Sequence, residues 1–408
     1  MSLVKNIEFL RRMSKLPEIN GLEGFGRGLT SAGKSPLTET TGFGSNPGDL
    51  RMLSFVPGQL QPAPALVVVL HGCGQTAAGY DMGAGWSTLA ERYGFALLMP
   101  EQQRGNNAQG CFNWFNPEDT TRDHGEACSI RQMIARMAAD HGIDRHRIFV
   151  TGLSAGGAMT SVMLATYPEI FSAGAVIAGL PYGVASNVRE ALSGMMQSQS
   201  RPAAELGDLV RDASPHQGPW PKLSVWHGSA DRTVNPANAN EIVKQWLDVH
   251  GLPAAPMSEG MVDGYPHQVW WNADGETMIE SYTITNMAHG TPLGIADNDE
   301  RYGAEGAFLI EAGISSSYHI ASFFGLTERV SQPRIVENAA KTTTAKPAAP
   351  TSALLRTAEV AAVLQPISTL QRTAKPKPKS EPQSKPRRRA IDVGEVITRA
   401  LTAAGLMK

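Results

Sequence analysis

The sequence predicts a doubly wound α/β fold on a mostly parallel sheet, and three observations carry the prediction. Short, continuous apolar runs recur along the chain and end at glycine or proline. Between them lie segments whose apolar residues repeat at helical spacing. The pattern holds from about Arg51 to Leu326 with no internal repeat. A strand apolar at every position is buried on both faces, and parallel strands need a crossover between them. The alternation therefore selects a sheet with helices on both sides.

The elements follow in order. Residues 1–50 join an amphipathic stretch, MSLVKNIEFLRRMSKLPEI, to chain rich in Gly, Ser, Thr and Pro, and read as an arm packed on the domain. ALVVVLHG (Ala65–Gly72) is the first buried strand, Trp86–Tyr93 is helical, and FALLMP (Phe95–Pro100) is the second strand. In Glu126–Gly142, Ile130, Met133, Ile134 and Met137 fall on one helical face, with Gly142 as the stop. RIFVTG (Arg147–Gly152) is a strand and GAMTSVMLATYP (Gly157–Pro168) a helix. AGAVIAG, LSVWHG and ESYTIT supply later strands, with helix NANEIVKQWLDVHG between the last two. Residues 190–220, rich in Met, Gln, Ser and Pro, read as an insertion or a lid.

This assigns 51–328 to one α/β domain. Residues 329–390 are rich in Ala, Pro, Thr and Lys, too poor in apolar periodicity to fold alone, and read as a disordered linker. Residues 391–408 recover a helical stripe through Val393, Val396, Ile397, Ala400 and Leu401.

A chain of 408 residues with 42% hydrophobic content buries a large core, and its net charge of −2 gives no global field drawing it to nucleic acid or a membrane surface. The charge is unevenly placed: Arg372 to Arg389 holds eight Lys/Arg against one Glu. That stretch, with the terminal helix, reads either as a tether to a granule, an anionic surface or nucleic acid or as a solvated linker whose helix docks on the domain. No run is long enough to span a membrane. The N-terminus lacks the apolar core and cleavage site of a secretory signal. Three cysteines, Cys73, Cys111 and Cys128, leave at least one unpaired within the chain. These features together suit a soluble cytoplasmic protein.

The site candidates begin at Gly152-Leu153-Ser154-Ala155-Gly156. In an α/β hydrolase a nucleophilic serine sits on a sharp strand-to-helix turn, and small residues two before and two after it let the two backbones close together. Ser154 has that context. Two amides are expected to bind an oxyanion, Ala155 after the serine and Cys73 in the loop LHGCGQ (Leu70–Gln75). His71 reads as structural. The acid should follow, and Asp231 lies just after a strand in LSVWHGSADRTVNPANANEI; His227 reads as structural, and Asp263 and Asp274 as solvated turn formers. The base should come last, and His289 stands in a loop after ESYTIT. His267, placed before that strand, and His319, in a terminal helix, suit the role less. Ser154, Asp231 and His289 thus predict ester hydrolysis through an acyl-enzyme, with no metal or organic cofactor.

The stretches LHGCGQ, GCFNWF (Gly110–Phe115), EACSIRQMI, RIFVTGLSAGGAMTSVMLATYPEIFSAGAVIAGLPYGVA and WHGSADRTVNP resemble the catalytic domain of polyhydroxybutyrate depolymerase-type esterases. That family also includes feruloyl and acetylxylan esterases. The resemblance spans about Leu50 to Leu326. It implies an α/β-hydrolase fold, a triad of Ser154, Asp231 and His289, and an ester or polyester substrate. It also implies export, against the reading of the N-terminus. Cys73 and Cys111 stand in family-like motifs and form either a disulfide bracing the oxyanion loop or, in a reducing compartment, free thiols. Trp114 and Phe115 line a substrate cleft or pack in the core. The rival readings are a feruloyl or acetylxylan esterase and a granule- or surface-binding protein on an inactive hydrolase fold.

Overall fold

The computed structural model describes residues 35–327 with the exception of Asp299. Its elements run β1 (Thr38–Thr40), β2 (Arg51–Phe55), β3 (Leu66–Leu70), α1 (Ala77–Ala84), α2 (Trp86–Tyr93), β4 (Ala96–Glu101), α3 (Pro117–Thr120), α4 (Gly125–His141), β5 (Ile148–Leu153), α5 (Ala155–Thr166) and β6 (Ala173–Ile177). There follow α6 (Val188–Gln197), α7 (Ala203–Arg211), β7 (Lys222–Gly228), α8 (Ala237–His250), β8 (Ser258–Val262), β9 (Tyr265–Trp271), β10 (Thr277–Ile284), β11 (Thr291–Leu293), β12 (Leu309–Glu311) and α9 (Ser316–Phe323).

Ten strands form one sheet in the order β1-β2-β4-β3-β5-β6-β7-β10-β9-β8. The six from β4 to β10 are parallel, and the two outer strands at either edge join antiparallel. The run LVVVL is apolar throughout because each face of β3 meets helices. Leu66, Val68 and Leu70 pack with Ile130, Met133, Met159, Val162 and Trp246 of α4, α5 and α8. Val67 and Val69 turn the other way, toward Trp86, Leu89 and Ile320 of α2 and α9. Each such aliphatic side chain contributes about 1.5–3 kcal/mol by leaving water.

Strand order decides where a site can form. From β3 the chain passes to β4 on one side and then to β5 on the other. The carboxyl ends of β3 and β5 therefore open the crevice where open α/β sheets bind ligands.

The structure adds elements that the sequence pattern did not give. β1 and β2 extend the sheet from residues read as arm and domain start. Segment 190–220 is built around the helices α6 and α7, and α7 buries Leu206 and Val210. β8 and β9 form a hairpin through Asp263 and Gly264, both at positive φ (50° and 82°). His267, which precedes the ESYTIT strand as expected, lies within β9 of this hairpin. The expected N-terminal amphipathic stretch, the linker 329–390 and the helix 391–408 lie outside the described residues. Among the described residues, no helix is long and apolar enough to cross a membrane.

Candidate active site

Ser154 ends β5 and opens α5 with φ 58° and ψ −117°. A non-glycine residue there stores backbone strain, and it is the conformation a nucleophile elbow imposes. The turn is held on both sides: Ser154 N–H donates to Ile177 O at 2.9 Å, and Ser154 C=O accepts from Ala158 N at 2.8 Å. The small residues around it are a steric requirement. A Cβ on Gly152 would come within 2.4 Å of Gly156 O, and one on Gly156 within 2.2 Å of Leu70 O and 2.6 Å of His71 O. The close approach at Gly156 also sets the loop after β3 against the elbow. Gly156→Ala is accordingly expected to destabilise the fold by about 3 kcal/mol, measured by denaturant unfolding.

That loop carries Cys73, joined to Cys111 in a disulfide; Cys128 is unpaired and buried. Gly72 N–H donates to Gln75 Oε1 at 2.9 Å, which tightens the turn. His71 is fully buried, with Nδ1 at 2.8 Å from Gly72 O and Nε2 accepting from Gln102 N at 3.1 Å. Burial lowers its pKa and keeps the ring neutral, as a structural acceptor requires. Behind it, buried Glu126 accepts from Gln102 Nε2 and from Asn113 N and Nδ2 at 2.5, 2.8 and 2.7 Å, bracing the segment that carries Cys111. Sequence reasoning did not single out Glu126; a carboxylate among core residues of a helix was its signal. Ala155, the first residue of α5, presents one of the helix's unpaired N-terminal amides.

Asp231 and His289 meet at the next strand ends. Gly228 lets the chain after β10 lie against β7: a Cβ there would stand 2.4 Å from Met287 O and 2.7 Å from Ala288 O. Ser229 N donates to Ile284 O at 2.9 Å and Ala230 N to Met287 O at 3.0 Å. This seam brings His289 Nδ1 to 2.7 Å from Asp231 Oδ2. Oδ1 of the same carboxylate accepts from Thr233 N and Val234 N at 2.8 and 2.9 Å. An ionised carboxylate can only accept, so Nδ1 carries the proton and Nε2 is left as the basic nitrogen. Ser154 and His289 are each 8% exposed. Ser154 Oγ makes no hydrogen bond among the described residues; bonds between nucleophile and base commonly tighten only when substrate binds.

A second histidine shares the carboxylate. His227 Nε2 lies 3.2 Å from Asp231 Oδ2 and 3.0 Å from Val234 O. Burial works to raise the Asp231 pKa, but hydrogen bonds from His227 and His289 outweigh it and hold the carboxyl well below its ordinary range. A depressed carboxyl contributes stability that is fully present above its unfolded value, about 4, and is lost as pH falls toward the folded value. His227→Leu removes one donor. We expect kcat/KM to fall about tenfold, and the melting temperature of the variant to drop less than wild type on acidification below about pH 5.

The competing histidines are engaged elsewhere. His267 Nε2 is 3.1 Å from Glu280 Oε2, and His319 Nε2 is 2.9 Å from Asp263 Oδ2. Trp114 and Phe115 are 8% and 9% exposed, set edge to face at 5.4 Å, and pack among core residues.

Residues 51–259 match the esterase PHB depolymerase family. The chain is 46% identical over 299 residues to poly(3-hydroxyalkanoate) depolymerase C of Paucimonas lemoignei, covering 73% of this chain and 72% of that one. It is 31% identical over 269 residues to feruloyl esterase B of Talaromyces stipitatus, covering 64% and 74%. The acetyl xylan esterase structure from Aspergillus awamori superposes with a TM-score of 0.61 at 26% identity, over 71% of this chain and 99% of that chain. These comparisons lend no support to tethering through the basic tail. On the family match and the identity to the Paucimonas depolymerase, the chain belongs to the PHB depolymerase family of carboxylic ester hydrolases.

Proposed function

We propose that the chain hydrolyses hydroxyalkanoate polyesters or their oligomers through an acyl-enzyme on Ser154. The observation that carries the mechanism is the buried Asp231–His289 bond at 2.7 Å, set at the same carboxyl end of the parallel strands as a strained serine. Ser154 Oγ attacks the ester carbonyl carbon as its proton passes to His289 Nε2. The carbonyl oxygen becomes an oxyanion, held by the amides of Cys73 and Ala155. The intermediate collapses, the C–O bond to the alcohol breaks, and the alcohol leaves with the proton from His289. Water then gives a proton to His289 and attacks the acyl carbon; collapse releases the acid and returns the proton to Ser154. Asp231 holds the ring in the competent tautomer throughout.

The polyester reading is supported by the identity to the Paucimonas depolymerase. A second reading, an acetylxylan or feruloyl esterase, is supported by the Aspergillus structure and the Talaromyces relative. Rates on hydroxybutyrate oligomers, acetylated xylo-oligosaccharides and feruloylated xylo-oligosaccharides, with Ser154→Ala as blank, separate the two. Dominant hydrolysis of hydroxybutyrate oligomers is expected; dominant hydrolysis of either xylan ester overturns the polyester reading. The Cys73–Cys111 bond supports placement in an oxidising compartment, tested by fractionating cells and locating the chain.

A further inference from the structure

Phe308 stands apart from the other aromatics around the site. Its backbone is left-handed, φ 62°, a conformation that is a genuine outlier for a bulky side chain. The residue is 44% exposed and belongs to neither hydrophobic core cluster, so core burial does not offset the strain. The ring centroid lies 5.8 Å from that of His289, at an interplanar angle of 75°. The backbone is pinned in that posture: Phe308 O accepts from Thr291 N at 2.8 Å, and a Cβ on Gly290 would lie only 2.8 Å from the same oxygen. The preceding residue is tied to the opposite side of the site, since Gln75 Nε2 donates to Ala307 O at 3.2 Å. Gln75 is the residue that also tightens the loop of Cys73.

Strain kept in an exposed aromatic, against the base and linked to the oxyanion loop, is unexplained by stability. A large apolar face beside a reacting carbonyl takes an apolar ligand. We propose that Phe308 is a substrate-binding residue, its ring packing on the alkyl chain of the hydroxyalkanoate unit next to the scissile ester. This rests on the polyester reading and adds to it the residue that reads the chain's apolar side.

The test compares kcat/KM on a soluble hydroxybutyrate trimer with kcat/KM on p-nitrophenyl acetate, which has no neighbouring unit. Phe308→Asn removes the ring and places a residue tolerant of left-handed backbone there, so the variant is expected to melt at or above the wild-type temperature. Its trimer-to-acetate ratio should fall about tenfold, while Phe308→Tyr, which keeps the ring, holds the wild-type ratio. A ratio within about twofold of wild type in Phe308→Asn, with the trimer cleaved by wild type, overturns this inference alone. Failure of wild type to cleave the trimer overturns the polyester reading and the Phe308 inference with it. A loss in Phe308→Asn confined to acetylated xylo-oligosaccharides assigns the ring to sugar stacking and likewise overturns the inference.

Discussion

Ser154→Ala is expected to lower kcat on any accepted ester by about 10⁴-fold or more, with the fold intact. Removing Oγ takes away the atom that forms the acyl bond, and no neighbouring side chain replaces it at the elbow. The turn survives because it is made by backbone: Ser154 N to Ile177 O, and the close approach of Gly152 and Gly156. Alanine at φ 58° is as strained as serine, so a denaturation midpoint near wild type is expected. Residual turnover reports the oxyanion amides and substrate binding. Steady-state kinetics with a circular dichroism melt checks both parts.

Asp231→Asn is expected to be nearly as severe, with kcat down about 10⁴-fold, for a different reason. Asparagine can keep accepting from Thr233 N and Val234 N through its carbonyl oxygen. Its NH₂ then faces His289 and donates where the carboxylate accepted. The imidazole must respond by carrying its proton on Nε2, which leaves no lone pair to take the Ser154 proton. The same substitution tests the electrostatics. Wild-type Asp231 contributes stability above about pH 4 that drains away as pH falls toward its depressed folded value. The asparagine variant has no such contribution to lose, so its melting temperature should vary less with pH across the acid range. Melts from neutral pH downward give the comparison.

The central strands were legible because burial on both faces leaves a signature that local sequence carries by itself. LVVVL, ALLMPE, IFVTGL and AGAVI are dominated by apolar residues, whereas the strand order that puts a crevice at the ends of β3 and β5 came from the structure. The proposed triad was placed by chain order: Ser154, Asp231 and His289 follow IFVTGL, LSVWHG and ESYTIT in the order serine, acid, base, and the structure brings Asp231 and His289 into hydrogen-bond contact. The β8–β9 hairpin was missed because β8 is exposed and β9 mostly half-buried, so no fully apolar run marks them. The available signal was Asp263-Gly264, a pair suited to a turn with two positive φ angles. Reading Asp263 as a solvated turn former missed its pairing with His319. His227 was read as structural from its place in the strand. Its share of the Asp231 carboxylate depends on how the chain turns after Gly228, which no local pattern encodes. Phe308 was invisible for the same reason, since nothing in EGAFLIE signals left-handed backbone at a phenylalanine.

The central claim is that Ser154 is the group that carries the acyl chain. Intact-mass spectrometry after treatment with a fluorophosphonate, followed by peptide mapping, tests it directly. One phosphonyl group per chain, on the peptide at Ser154 and rising in step with loss of ester hydrolysis, is the expected result. Full inactivation with the Ser154 peptide unmodified, or full activity with it completely phosphonylated, would contradict the account.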